Sequence, residues 1–193
     1  MVYTEPEQVN QGVNLMPSYI SNFEHMETNQ KEVIFQSILK AQLLLKEFVV
    51  AIPEPDIGDD IWITDLRGED YIIYPAQIKS AYAHQPLKKG NVKRYIINIK
   101  YHKLKSTLER KYIYFFGLYD PDFGPNKFHI GCIPSTFFLD HWDFLNKKKV
   151  AQDKYTKRVN LNIDYYVSED EYYIFGKPLV PISMYFNNFS AIA

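Results

Sequence analysis

Residues 55–80 read Pro55-Asp56-Ile57-Gly58-Asp59-Asp60-Ile61-Trp62-Ile63-Thr64-Asp65-Leu66-Arg67-Gly68-Glu69-Asp70-Tyr71-Ile72-Ile73-Tyr74-Pro75-Ala76-Gln77-Ile78-Lys79-Ser80. Ile61 to Leu66 alternates apolar and polar residues, Arg67-Gly68-Glu69-Asp70 offers turn chemistry, and Tyr71 to Ser80 is rich in β-formers, so the stretch predicts a hairpin. Side chains alternate along a strand, which puts Gln77 and Lys79 on one face while Ile78 turns into the core. Antiparallel pairing sets the start of the first strand beside the end of the second and brings Asp60 near Gln77 and Lys79.

Upstream, Val33, Ile34, Phe35, Ile38, Leu39, Leu43, Leu44 and Leu45 recur at helical spacing and predict a helix over 29–48. Phe48 to Ile52 is a β-favouring run stopped by Pro53 and Pro55. Downstream, Arg94–Tyr101 and Lys111–Tyr119 read as strands separated by one or two helical turns. Lys127–Ile133 adds a strand, and Ser135–Asn146 a helix with Ser135 as its N-cap. The order predicts an α+β (α/β) fold in three segments: an arm at 1–26, a core at 27–150, and an aromatic extension at 151–193 packed on the same domain, with strands near Val159–Val167 and Tyr172–Phe175.

The chain of 193 residues is 46% hydrophobic and 16% aromatic, enough to bury one core. No apolar run approaches the roughly 20 residues that span a bilayer, and no signal peptide is legible, so the expectation is a soluble protein of the cytoplasm with no membrane partner. A lone Cys132 fits a reducing compartment. Net charge is −1, yet Ala81–Lys111 holds nine basic residues against one acid, Glu109. Lys88, Lys89, Lys93, Arg94, Lys100, Lys103 and Lys105, interleaved with Tyr95, Tyr101 and His102, are candidates to track phosphates. The alternative is a solvated face.

Phosphodiester hydrolysis assisted by a divalent cation needs hard oxygen ligands and a positive group beside the attacking water. The residues that meet this need also resemble a known family. An acid before a strand, Asp60 in Gly58-Asp59-Asp60-Ile61, followed by Gln77-Ile78-Lys79, is similar to the signature of the PD-(D/E)xK nuclease superfamily in its glutamine form. Glu32 stands where many members carry a helical glutamate. The resemblance covers about Glu32 to Ser80 and implies a restriction endonuclease-like αβββαβ core, a mixed central sheet flanked by helices. It also implies Mg²⁺ or Mn²⁺ held by Asp60, the Gln77 oxygen and the Ile78 carbonyl, with Lys79 positioning water and Glu32 assisting. The substrate implied is nucleic acid, double-stranded DNA ahead of RNA. Homodimers are a common way for such sites to cut both strands, with Tyr165–Phe189 as a candidate interface. The rival is a non-catalytic nucleic-acid-binding or assembly module, which the neutral Gln77 permits. Asp56, Asp59 and Asp60 also serve simply as turn residues, and Glu32 as a surface residue of its helix, with Glu24 and Glu27 as rival candidates for the helical glutamate.

Overall fold

The computed structural model describes residues 26–54, 58–65, 72–83, 91–120, 122–123, 128–147, 149–151 and 157–192. The N-terminal arm before Met26, Asp56, the turn at 67–70, Lys88 and Lys89 lie outside the described residues.

Helix α1 spans Thr28–Leu45; it opens with the Glu27 N–H donating to Gln30 Oε1 at 3.0 Å and ends where Glu47 takes a positive φ of 65°. Phe35, Leu39 and Leu43, four residues apart, are its buried stripe. Val33, Leu44 and Leu45, read from the sequence as part of the same apolar pattern, face outward, because one helix presents only one face to a sheet. The helix also stops three residues short of Phe48, which begins β1.

Strands β1 (Phe48–Ala51), β2 (Ile61–Asp65), β3 (Ile73–Tyr82), β5 (Ile113–Tyr119) and β6 (Phe128–Pro134) form a sheet in the order β1-β2-β3-β5-β6. The β3–β5 pair is parallel and the rest are antiparallel, so the fold is α+β with a mixed sheet. Between β3 and β5 the chain makes β4 (Val92–Lys100) and α2 (Tyr101–Thr107). After β6 come α3 (Ser135–Asp140), α4 (Trp142–Asn146), β7 (Lys149–Ala151), β8 (Lys157–Tyr166), β9 (Glu171–Ile174) and β10 (Val180–Pro181). The single helix expected over 135–146 is thus two. Pro134 holds the N-cap position, while the Ser135 hydroxyl donates to the Arg110 carbonyl at 2.5 Å.

The mixed sheet is flanked by helices as expected, α1 on one side and α2, α3 and α4 on the other, where a second antiparallel sheet joins them. That sheet runs β10-β9-β8-β4, with β7 also on β8. Phe35, Leu39 and Leu43 pack on Ile61, Ile63, Ile78, Ile113 and Phe115 in one core. Tyr112, Tyr114, Phe116 and Leu118 pack on Tyr95, Ile97 and Ile99 of β4 and on Val159, Leu161 and Ile163 of β8 in the other. The β5 segment is buried along its whole length because both cores rest on it. Of the extension, Tyr165, Tyr172, Phe186 and Phe189 are buried within their own chain, which removes these rings from the expected dimer contact. Among the described residues no helix is long and apolar enough to cross a membrane.

Candidate active site

A notch in the sheet edge positions the site. Strand β2 pairs with β3 only up to Ile61 opposite Ala76, whereas β5 follows β3 from Ala76 to Tyr82. Beyond Ala76, β3 therefore has a strand on one side only among the described residues, and Asp60 takes the neighbouring place on the other. Its N–H donates to the Ala76 carbonyl at 2.9 Å, and its Oδ2 accepts from the Ile78 N–H at 2.6 Å. The short charge-assisted bond fixes the carboxylate against the strand that carries the other candidates. In a strand the N–H and C=O of one residue share an edge, so the Ile78 carbonyl belongs to the notch side as well.

Ile78 is fully buried against α1, and Gln77 and Lys79 lie on the opposite face, as the alternation requires. Gln77 is 9% exposed, and its Oε1 is buried with no hydrogen-bond partner among the described residues. Leaving such an acceptor unmet costs about 1–3 kcal/mol, so the oxygen is available to an electrophile. Half-buried Lys79 lies with Nζ 3.9 Å from Glu32 Oε1 on α1. The structure thus brings Asp60, Gln77, Ile78, Lys79 and Glu32 to one region.

Asp59, read from sequence only as a turn candidate, is the anchor of the Asp60 segment. It accepts from Lys103 Nζ at 2.7 Å, the Tyr112 hydroxyl at 3.1 Å and the Trp62 indole at 3.2 Å. Burial raises the Asp59 pKa, but the Lys103 and Trp62 hydrogen bonds, the Lys103 charge and the Tyr112 bond outweigh it and hold the carboxyl below its ordinary range. Gly58, with φ of 84°, makes the turn before it. No sequence signal links Asp59 to Lys103, because the pair is separated by 44 residues.

The basic stretch divides. Lys93 bridges Asp120 and Asp122, each at 2.7 Å, Arg94 makes two bonds to Asp164 at 2.6 and 2.7 Å, and Lys103 holds Asp59. Lys100 and Lys105 are exposed. Cys132 is buried, with its thiol pushed up to about 12 by burial, which leaves it inert as a nucleophile.

Among the described residues no group of three or more His, Cys, Asp or Glu side chains is arranged to hold a metal. A cation in the notch would draw on one carboxylate, one amide oxygen and a main-chain oxygen, all hard donors. The unpartnered Gln77 oxygen fits that role.

The chain matches no protein-family model and no curated protein. Among solved structures it is similar to a bacterial homing endonuclease, at 18% identity over 70% of this chain and 75% of that one, with a TM-score of 0.39. It is also similar to a nuclease from a fusselovirus, at 16% identity over 92% of each chain, with a TM-score of 0.38. Both neighbours are nucleases. Likeness at these values carries no weight of its own for activity, and function is read from the side chains of the notch.

Proposed function

We propose that the chain is a metal-dependent nuclease of the PD-(D/E)xK type, acting on DNA. The observation that carries this is a fixed Asp60 carboxylate on the Ile78 N–H, one residue along the strand from Gln77, whose buried oxygen has no partner among the described residues, with Lys79 the next residue on the Gln77 face. Asp60, Gln77 Oε1 and the Ile78 carbonyl are the groups that would hold Mg²⁺ or Mn²⁺. When bound, the cation lowers the pKa of water and offsets charge on the scissile phosphate. Asp60 is aimed by the Ile78 N–H from one side and by the Asp59–Lys103 anchor from the chain before it. Lys79, two residues from Gln77 on the same strand face, would orient a water and face the developing phosphate charge. Glu32, within ion-pair reach of Lys79, holds that ammonium in place. Cutting both strands from single-site subunits calls for two copies, and Val167, Leu179 and Met184 are exposed apolar side chains of the extension open to such a contact.

The test is cleavage of plasmid DNA with Mg²⁺ or Mn²⁺, compared with Asp60→Ala. Metal-dependent cleavage by the parent and its loss in the folded variant is the expected outcome; undiminished cleavage in Asp60→Ala would sink the assignment. The rival reading, a non-catalytic nucleic-acid-binding module on the same fold, is favoured by the neutral Gln77. It would be established by DNA binding without cleavage at any metal concentration.

A further inference from the structure

Strands β4 and β8 form a ribbon in register from Val92 opposite Tyr166 to Lys100 opposite Arg158. One side is spent on the core through Tyr95, Ile97, Ile99, Val159, Leu161 and Ile163. Alternation turns Asn98, Lys100, Arg158, Asn160 and Asn162 to the other side, where they are exposed or half-buried. Asn98 stands opposite Asn160, and Lys100 opposite Arg158.

Like charges directly opposite on neighbouring strands destabilise a sheet. At the other end of the ribbon Arg94 stands opposite Asp164 and binds it with two hydrogen bonds. No carboxylate answers Lys100 or Arg158 among the described residues, and the Arg158 Nε is buried without an acceptor. The asparagine amides likewise have no hydrogen-bond partner among the described residues. A repelling cation pair with an orphaned donor is unfavourable in the free protein, and the three asparagine amides beside it, exposed or half-buried, are open to a partner. A polyanion carrying hydrogen-bonding edges satisfies all of it.

We propose that this solvent-facing side of the β4–β8 ribbon is a DNA recognition surface, with Lys100 and Arg158 on the phosphate backbone and Asn98, Asn160 and Asn162 at base edges. β4 is the edge strand of the second sheet, with β7 and β9 beyond β8, and the face at that edge meets the major groove of B-form DNA, where asparagine pairs with adenine through two hydrogen bonds. The deep, narrow major groove of duplex RNA does not admit it. The surface adjoins the notch: α2 starts directly after Lys100, and Lys103, about 5 Å further along the helix axis, holds Asp59. Lys100 thus stands about one helical turn from the residue that anchors the Asp60 segment. The occupant follows from the nuclease reading above, but the surface is testable without cleavage.

Binding of the full chain to a fluorescein-labelled DNA duplex of mixed sequence, without divalent metal, is measured by anisotropy across a salt series. Lys100→Gln with Arg158→Gln should weaken binding evenly across sequences and reduce the log–log salt slope by about 2, roughly 1 for each phosphate contact. Lys100→Arg with Arg158→Lys, which keeps both charges, should retain the slope and controls for folding. Asn98, Asn160 and Asn162 changed together to Ala should leave the slope intact. Discrimination among duplexes selected from a random pool should fall roughly 5- to 150-fold for each lost amide pair. An unchanged slope in the Gln variant, no duplex binding by the parent, or equal competition by duplex RNA overturns the proposal. Cleavage with a slope indifferent to Lys100 and Arg158 removes the surface and keeps the nuclease. Binding through them without cleavage under any metal keeps the surface and removes the nuclease.

Discussion

Gln77 is where the chemistry of the notch turns, because a carboxamide oxygen carries only partial charge while Mg²⁺ prefers ionised oxygen and gives up its waters reluctantly. Its buried Oε1 has no hydrogen-bond partner among the described residues, so a full negative charge placed there would act on the cation and on little else. Gln77→Glu should therefore tighten Mn²⁺ binding with the fold intact, as read by calorimetric titration of both forms. Equal affinity would mean that Gln77 does not face a cation. In the proposed site Lys79 would act on the reacting water rather than on the metal, so Lys79→Ala should leave metal affinity near the parent value. Its cleavage rate should drop by on the order of 100- to 10,000-fold, the range for a lost proton-transfer partner. A fall of less than tenfold in single-turnover assays would remove Lys79 from the chemistry.

Two contacts between elements hold the notch open and in register. The first is α1 on β5: a Cβ added at Gly117 would stand 2.4 Å from the Phe35 ring, so the helix rests directly on the strand backbone. Gly117→Ala should cost about 1–3 kcal/mol by overpacking and lower the urea midpoint, and an unshifted midpoint would show that α1 gives way freely. The second is the Asp59–Lys103 anchor between the turn before β2 and α2. The folded-state pKa of Asp59 is depressed, so its stabilisation is full above the ordinary value of 3.8 and is lost as pH falls through the depressed folded value. The gap in urea midpoint between parent and Asp59→Asn should be widest near neutrality and close below about pH 3.8. A gap independent of pH would assign the loss to packing rather than charge.

Across the whole molecule the two sheets meet near His129 of β6, whose ring stacks on Phe123 at 3.6 Å and hydrogen-bonds the Tyr172 hydroxyl on β9. Burial lowers its pKa, against the opposing pull of Asp170 and Asp120. With the folded value below the ordinary 6.5, the unfolded chain takes the proton first. Stability is then full above pH 6.5 and declines as pH falls from there toward the folded value. Urea titrations at pH 7.5 and 5.5 should show the parent losing stability at the lower pH and His129→Gln losing less. Equal losses would place the acid sensitivity elsewhere. The net charge of −1 gives the whole protein no field to draw DNA, so the proposed association would depend on local cations such as Lys100 and Arg158.

Residues 55–80 encoded the hairpin, the shared face of Gln77 and Lys79 and the proximity of Asp60, since turn chemistry and a period of two act over a few residues. The amphipathic stripe of α1 and the strands at β5, β6 and β8 were legible for the same reason. What needed the tertiary structure were choices made between distant segments. Whether Val33 or Phe35 faces the sheet depends on where the helix docks. Lys93, Arg94 and Lys103 look alike in sequence to Lys100, and only the fold supplies Asp120, Asp164 and Asp59 to the first three while setting Arg158 against the fourth. Strand β4 reads as part of a basic run, yet its edge finds a hydrogen-bonded partner, β8, only once the chain returns some 60 residues later. Local periodicity fixes which residues share a face; which faces meet, and which charges are neutralised there, is a property of long-range packing.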